Sequence, residues 1–364
     1  MDTLRGLVMV IMALDHTRDF FINTGFNPRD VTDPLLFLTR WITHFCAPTF
    51  ILLAGLSAYL HGRRKTVGEL SRFLLVRGLW LIALDLTLIK FGWRFEVDLY
   101  RLGAGVIFVI GASMLILAAL AWLPRWVIAS LFLMMIAGHN LLDSVRAEDL
   151  SDASWLWHLL HEPGLVPLGD NVTLYILYPI IPWVGVMAGG YLLGPVMQLD
   201  ERTRQRILFK LGAAVTVGFI VLRAISLYGD PAPWTAQETW LSTTLSFLDC
   251  EKYPPSLLYL MMTLGPALML LAWFDEARGP LASFFATFGR VPFFYYVIHI
   301  YLIHALAVVT AFAMTGVLTT TPEINFTLIG VYIIWLLVIV LLYPICRWSA
   351  YMKQTGSGWW WAYL

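Results

Sequence analysis

Long apolar stretches alternate with short polar segments along the whole chain. Ten stretches contain about 18 or more mostly apolar residues, which is the length a helix needs to cross a bilayer. We therefore predict an all-α, polytopic integral membrane protein with about ten transmembrane helices in a single domain over residues 1–364. The predicted spans are 4–23, 38–60, 70–91, 103–122, 125–142, 172–196, 207–228, 255–274, 290–313 and 325–346.

The basic residues of the loops predict the orientation of these spans. Lys and Arg accumulate in the cytoplasmic loops of membrane proteins. The loop HGRRK at 61–65 and the segment DERTRQRILFK at 200–210 are the most basic ones, and both lie on the same side as the chain ends. We therefore expect both termini in the cytoplasm. The long loops 143–171 and 229–254 then lie outside, where they could fold over an outward-facing site.

The first predicted span, LRGLVMVIMALDHTRDFFIN, contains several charged residues. Such groups are costly in a bilayer and are therefore functional candidates. Arg5 and His16 are eleven steps apart, which places them on nearly the same helix face and about 16 Å from each other. Asp15 and Asp19 flank the histidine. We predict a catalytic role for His16, with Asp15 and Asp19 as its candidate carboxylate partners.

Polar residues of other predicted spans fall at a similar depth in the outer half of the membrane. Hydrocarbon offers no water to satisfy them, so they should face the protein interior and pair. We assign substrate-binding roles to His44, Asp85 and His304. Structural alternatives remain open, namely helix packing for His44 and an ion pair of Asp85 with Arg77 or Lys90.

The predicted depths suggest a reaction. An imidazole can act as a general base or carry an acyl group, and a guanidinium binds phosphate. A ligand with phosphates at Arg5 and a thin arm of about 16 Å would reach His16. Acyl-coenzyme A has that shape. We predict acyl transfer across the membrane with acetyl-CoA as co-substrate, contacted by Arg5, Arg290 and His299.

Composition narrows the possible partners. The chain is 59% hydrophobic and only 13% charged, so the lipid bilayer is the expected partner. The formal net charge is zero, which gives no case for nucleic-acid binding. The three cysteines have no metal-type or redox-type spacing, and His299 and His304 are five residues apart, a poor ligand spacing. We expect no metal. The first apolar run is too long and too charged for a cleavable signal peptide.

Glycines and prolines in the sixth span predict its packing. Gly185 and Gly189 form one small-xxx-small pattern, and Gly190 and Gly194 form another. Such patterns permit close helix packing. Pro179 and Pro182 predict either a kink or a break in this helix, and a kink is the favoured interpretation.

Five segments carry a family resemblance. The opening segment DTLRGLVMVIMALDHTRDFF resembles the first transmembrane helix of bacterial proteins related to heparan-α-glucosaminide N-acetyltransferase. The spacing of Arg5 and His16 is also similar to the Arg–His motif of the wider transmembrane acyltransferase superfamily. Further matching segments follow in order: HFCAPTFILLAGLSAYL, YPIIPWVGVMAGGYLLG, KYPPSLLYLMMTLGPAL and FGRVPFFYYVIHIYLIH.

The resemblance implies a membrane acyltransferase with ten or eleven helices. It would use cytosolic acetyl-CoA to acetylate an amine or hydroxyl of a sugar or envelope glycan on the far side. By the superfamily motif, His16 is the catalytic histidine and Arg5 the motif arginine. The expected location is the bacterial cytoplasmic (inner) membrane, and a homodimer is left open.

This sequence departs from the animal lysosomal enzyme at the catalytic histidine. In that enzyme the histidine held to be catalytic follows the first helix, and the position equivalent to His16 is an asparagine. The corresponding loop here, INTGFNPRDVTD, has no histidine. Either His16 takes over the role or this branch does something different. Because no large lumenal domain precedes the first helix, we do not expect heparan as the substrate.

Two other classes of protein remain as alternatives. A secondary transporter or exporter of a small polar solute could use Asp85, His16 and Arg223 as relay or binding groups, although no convincing inverted repeat is present. For Arg223, a structural role at the membrane interface is an equal alternative. An envelope scaffold protein without chemistry is the third possibility.

Overall fold

The computed structural model describes residues 1–22, 27 and 29–355 of the chain, and this part is mostly helical, as predicted. The described α-helices are α1 (Asp2–Phe21), α2 (Pro34–Thr43), α3 (Cys46–Gly62), α4 (Val67–Leu84), α5 (Lys90–Arg94), α6 (Val106–Leu120), α7 (Arg125–Leu133), α8 (Ser154–Leu160), α9 (Ile180–Leu192), α10 (Glu201–Ile225), α11 (Trp240–Leu248), α12 (Leu257–Trp273), α13 (Pro280–Gly289), α14 (Pro292–Thr315) and α15 (Leu328–Thr355).

Six helical stretches of the described chain are long and apolar enough to cross a membrane. The other four predicted spans are also largely helical, but α1 and α4 carry more charge and α6 and α12 are shorter. A mostly helical fold with six candidate membrane-spanning helices is therefore confirmed for the described residues, whereas ten spans remain a prediction. Asn23, the predicted end of the first span, lies outside the described residues. The six stretches are Pro34–Gly62, Arg125–Leu142, Ile180–Gln198, Glu201–Ile225, Pro292–Thr315 and Leu328–Thr355.

Helix α1 lies at the centre of the bundle, in contact with α2, α3, α13, α14 and α15. Two glycines permit its closest contact. A Cβ atom on Gly6 would lie 1.7 Å from the carbonyl oxygen of Phe285, and one on Gly289 would lie 1.9 Å from that of Asp2. Any side chain at either position would push α1 and α13 apart, because backbone atoms cannot yield as flexible side chains do. This contact fixes the first turn of α1, which carries Arg5.

The glycines of α9 also pack closely, as the sequence predicted. A Cβ atom on Gly190 would lie 2.0 Å from the carbonyl oxygen of Leu52 in α3. Gly185 and Gly189 face side chains of the helix that begins with α7. The small residues thus let α9 approach two neighbours at once, which is the packing role expected for such patterns in membranes.

The prolines before and in α9 start the helix, so the predicted kink was wrong. Pro179 is the N-cap residue of α9, with an extended backbone at φ −60° and ψ 147°. Pro182 lies in the first helical turn, where its missing N–H would have no helical partner anyway. Residues 172–179 of the predicted span 172–196 therefore precede the helix and are not part of it.

A small sheet shows that the all-α prediction was incomplete. Its strands are β1 (Arg101–Ala104), β2 (Gly164–Pro167) and β3 (Thr173–Ile176), in the order β1-β3-β2. Strand β3 pairs parallel with β1 and antiparallel with β2. Strands β1 and β3 lead directly into apolar helices, and an unbroken apolar run does not show where strand gives way to helix.

Helix α4 begins at a capping box. The Thr66 hydroxyl accepts a hydrogen bond from the backbone nitrogen of Glu69 at 3.2 Å, and a Glu69 carboxylate oxygen accepts one from the Thr66 nitrogen at 2.7 Å. The hydrogen bond from the Thr66 backbone lowers the pKa of Glu69. The reciprocal pair fixes the start of the helix that carries Arg77.

Candidate active site

A cavity runs along one face of α1. Arg5, Asp15 and His16 all line it. The eleven residues from Arg5 to His16 correspond to about 16 Å along the helix axis. The shared face that the spacing predicted is therefore observed as the wall of one cavity.

The Arg5 end of this cavity is strongly basic. Arg290, which the sequence analysis assigned to cofactor binding, lines it together with Arg77 and Lys353. Arg77 and Lys353 were not predicted as cavity residues, because they come from α4 and α15 and meet Arg5 only in the folded bundle. Four cations at one end make this cavity suited to a polyanionic ligand.

Arg5 is held in place by three acceptors. Its guanidinium donates hydrogen bonds to the Asp2 carboxylate at 3.0 Å, to the Gly289 carbonyl at 3.0 Å and to the Ser57 hydroxyl at 3.2 Å. These contacts join the start of α1, the C-terminal half of α3 and the end of α13. A guanidinium fixed in this way loses little further conformational freedom when it binds an anion.

At the other end, His16 is hydrogen-bonded to His299 of α14. The His16 Nδ1 and His299 Nε2 atoms are 2.7 Å apart, and the His299 Nδ1 lies 3.0 Å from the carbonyl oxygen of Tyr295. A carbonyl only accepts, so the His299 Nδ1 carries the proton and, in neutral His299, Nε2 accepts. His16 then donates through Nδ1, which leaves a lone pair on its Nε2. This tautomer has the form a general base requires.

His299 was predicted to contact the cofactor, but it lies behind His16. Its side chain is fully buried and its ring stacks on that of His16 at 17° with 4.9 Å between centroids. Residues of the first cavity include His16 and Tyr296 but not His299. The geometry thus favours a role for His299 in orienting His16.

Asp15 and Asp19 are both bonded to Arg18. The Arg18 guanidinium lies 2.7 Å from an Asp15 oxygen and 2.8 Å from an Asp19 oxygen. Asp15 lines the cavity beside His16, whereas Asp19 does not and its side chain is 44% exposed. Of the two predicted carboxylate partners, Asp15 has access to the reaction space and Asp19 serves as a counter-charge of Arg18.

A buried lysine also lines the first cavity and was missed by the sequence analysis. Lys252 precedes α12 and is 8% exposed. It lies in the segment KYPPSLLYL, which carried part of the family resemblance. Lys252 could have been predicted from its position between an acidic outer loop and an apolar span, since a cation at membrane depth is a functional candidate.

Asp85 lines a second cavity. It follows α4 in a short π-helix, Asp85–Ile89, and accepts a hydrogen bond from the Gly105 backbone nitrogen at 2.8 Å. Lys90, one predicted ion-pair partner, instead donates to the carbonyl oxygen of Asp98. Lys90, Arg94, Arg101 and residues of β1 and β3 complete the wall.

The two cavities share a lining residue that packs beside His16. Tyr296 lines both of them, and its ring centroid is 6.2 Å from that of His16. Trp93 lines the second cavity and its ring meets His16 edge-on at 4.8 Å. His16 thus lines the first, basic cavity along α1, and its ring packs against Trp93 and Tyr296, which line the second cavity beside the sheet.

His44 lies outside both cavities. Its side chain is 2% exposed, its ring is 5.3 Å from that of Tyr259, and its carbonyl oxygen accepts a hydrogen bond from the Tyr259 hydroxyl at 2.9 Å. The geometry favours the helix-packing alternative over the predicted substrate contact.

His304 also lies outside both cavities. Its Nδ1 is 2.8 Å from the Gly92 carbonyl oxygen, and its Nε2 is 2.8 Å from that of Thr320. The fully buried ring stacks on Phe95 at 3.9 Å. These contacts tie α14 to α5 and to the segment after α14, so they favour a structural role over the predicted substrate contact.

Arg223, the third group of the transporter alternative, is buried in another part of the fold. It is 1% exposed and its guanidinium is 3.5 Å from a carboxylate oxygen of Asp230. This arrangement stabilises the long loop after α10 and is separate from His16 and Asp85. Its guanidinium donates hydrogen bonds to the carbonyl oxygens of Ala232, Ser246, Phe247 and Asp249.

Comparison with known families identifies the chain at this point. Residues 1–228 match the model of the heparan-alpha-glucosaminide N-acetyltransferase catalytic domain. The chain belongs to this family. A search of curated proteins found no match. The matched segment runs from α1 to the end of α10 and includes Arg5, His16 and Asp85, so the predicted resemblance is confirmed. With the apolar helices, membership indicates a transmembrane acetyltransferase.

Proposed function

We propose that this protein transfers an acetyl group from acetyl-CoA to an amine or hydroxyl of a sugar or envelope glycan. The donor enters the cavity along α1, the acceptor enters the second cavity, and His16 acts between them. The observation that carries this proposal is that His16 lines the first cavity and packs against Trp93 and Tyr296, which line the second.

The first cavity matches the shape of the donor. The phosphates of coenzyme A bind at the end formed by Arg5, Arg77, Arg290 and Lys353, where guanidinium and ammonium groups offer charge-assisted hydrogen bonds. The pantetheine arm is thin and extends along α1. It covers the axial separation of about 16 Å and brings the thioester to His16.

The chemistry follows from the tautomer of His16. Nε2 removes the proton from the acceptor amine or hydroxyl as the nucleophile attacks the thioester carbonyl. The tetrahedral intermediate then expels the coenzyme A thiolate, which takes the proton back from the imidazolium. The hydrogen bond from Nδ1 to His299 holds the ring in place throughout. In the alternative sequence, Nε2 attacks the thioester first and displaces the coenzyme A thiolate, and the acetyl-imidazole then transfers its acetyl group to the acceptor, whose proton goes to the thiolate.

Orientation follows from the basic loops. With both termini in the cytoplasm and about ten spans, the basic end of the first cavity faces the cytoplasm, where acetyl-CoA is made, and the second cavity faces outward. The expected location is a bacterial cytoplasmic membrane. The transporter alternative has no comparable support, because Arg223 is satisfied within its own loop.

A transfer assay tests this proposal. The purified protein in lipid nanodiscs receives acetyl-CoA with a labelled acetyl group and a panel of amino sugars and neutral sugars. We expect labelled sugar from the wild-type protein and none from His16→Ala, while coenzyme A raises the melting temperature of both. Undiminished transfer by His16→Ala would exclude the role of His16. Failure of coenzyme A to stabilise the wild-type protein would exclude the donor site.

A further inference from the structure

Three side chains with metal-ligating atoms meet at the end of the helical stretch Arg125–Leu142, which begins with α7. His139 and Asp143 lie on and just after the 3₁₀ turn that follows α7, and His161 directly follows α8 in the long outer loop. One potential ligand atom from each residue lies within 4.8 Å of the other two. This cluster is separate from both cavities at His16.

The two histidines of the cluster are buried without enough hydrogen bonds. His139 is 2% exposed and His161 is 3% exposed. Within the part of the chain that the structure describes, neither ring nitrogen of His139 has a hydrogen-bond partner, and neither does Nδ1 of His161. Burying an unsatisfied imidazole costs free energy, so the site requires a further partner.

The carboxylate of the cluster is held by the protein. The Asp143 Oδ1 atom is 3.2 Å from the His161 Nε2. Its Oδ2 accepts a hydrogen bond at 2.8 Å from the side-chain amide of Asn140, and that amide oxygen accepts one from the Leu257 backbone nitrogen at 2.9 Å. Residues that orient ligands in this way are typical of metal sites.

We propose that His139, Asp143 and His161 bind a divalent transition-metal ion, with zinc as the best match. Two imidazole nitrogens and one carboxylate oxygen form a ligand set typical of zinc, and water occupies the remaining position. No metal was expected from the cysteine spacing or from the spacing of His299 and His304, and neither of these groups belongs to this cluster. Here the third ligand is brought to the site by the folded loop.

The ion stabilises one wall of the second cavity. His161 lies three residues before β2, and Leu165 of β2 and Tyr175 of β3 line that cavity. The ion would link His161 to His139 and Asp143 at the end of the helical stretch Arg125–Leu142, and this link anchors the loop that leads into the sheet. The metal-binding proposal itself does not depend on the acetyltransferase proposal, because it concerns different residues.

Metal content gives the first test. The full-length protein is purified in detergent, stripped with a chelator, dialysed against buffered zinc and analysed by mass spectrometry. We expect about one zinc per wild-type chain and about a tenfold loss in His139→Gln and Asp143→Asn. The control is His158→Gln, which removes an imidazole from α8 outside the cluster and should leave the zinc content unchanged.

Cobalt gives a second test that needs no variant. Cobalt(II) bound to the wild-type protein should give the intense visible absorption of a four-coordinate ion, and zinc should raise the melting temperature of the stripped wild-type protein. The proposal is overturned if the wild-type protein binds no zinc, if all variants bind as much as the wild-type protein, or if the cobalt spectrum is that of the aqueous ion.

Discussion

The two cavities at His16 are built in different ways. The first follows one face of α1, and its ends are marked by Arg5 and His16 of the same helix. The second is assembled from a π-helix, the short helix α5 and three strands, of which β1 and β3 are more than sixty residues apart in the sequence. A helix repeats with a fixed period, so a site along one face leaves a readable spacing. A site made of loops and strands leaves none.

Under the proposed function, the donor binds in the first cavity and the acceptor in the second, with His16 acting between them. Variants at the shared histidine should therefore abolish transfer, whereas variants in either cavity should affect one substrate only. The following predictions test that separation, from the largest expected effect to the smallest.

His16→Ala should have the largest effect. Loss of the general base should lower kcat by about 10²- to 10⁴-fold, because the alanine side chain cannot take the proton from the acceptor. His158→Gln, which alters a histidine of α8 away from both cavities, is the matched control. Transfer rates with labelled acetyl-CoA measure the effect. A comparable loss in the control would mean that the assay reports folding.

The histidine pair gives the next prediction. His299→Leu removes the acceptor for the His16 Nδ1 proton and should lower kcat by about 10- to 100-fold. In His299→Gln the amide oxygen can accept that hydrogen bond, so activity should recover in large part. The pH profile of kcat should shift in His299→Leu but not in His299→Gln. Equal losses in the two variants would contradict the positioning role.

The basic end of the first cavity should control donor affinity. Arg290→Ala should raise the KM for acetyl-CoA by about tenfold or more, since hydrogen bonds to charged groups contribute about 1.5–3 kcal/mol. The KM for the acceptor should stay the same. Arg206→Ala, at an exposed position of α10, is the control. Titration of the melting temperature with coenzyme A measures the same affinity without an acceptor.

Asp85→Asn should have the smallest effect. Unlike Arg290→Ala, it should change the binding of the acceptor and not that of acetyl-CoA. Asparagine can still accept the hydrogen bond from Gly105, so the fold is kept while the negative charge is lost. We expect a change of about 2- to 10-fold in the KM for the acceptor, with unchanged affinity for acetyl-CoA. A change in coenzyme A affinity alone would show that the two cavities are not specialised as proposed.

The predictions from sequence succeeded where one helix carried the information. The alignment of Arg5 with His16 and the close packing of the α9 glycines both follow from helical spacing. They were wrong or incomplete where the chain changes its backbone inside an apolar run. Strand β1 before α6 and strand β3 before Pro179 are examples, because apolar residues satisfy a buried strand and a buried helix equally well.

Side-chain roles were harder to predict than positions. His16, His44 and His304 were all predicted in the outer half of the membrane, with His299 nearer the middle. Only the contacts separate them: His299 lies within hydrogen-bond distance of His16, the ring of His304 lies between two carbonyl oxygens, and His44 packs against Tyr259. Depth follows from counting residues along a helix, whereas the direction in which a side chain points depends on how that helix is rotated against its neighbours.

The sequence by itself determined the helical membrane class, the family and the face of α1 that joins a cation to an imidazole. These properties depend on residue type and on the period of one helix. The tertiary structure alone decided which histidine bonds to His16, which cations join Arg5 and how the sheet forms the second cavity. Those contacts join residues far apart in the chain, and their formation depends on the packing of many helices at once.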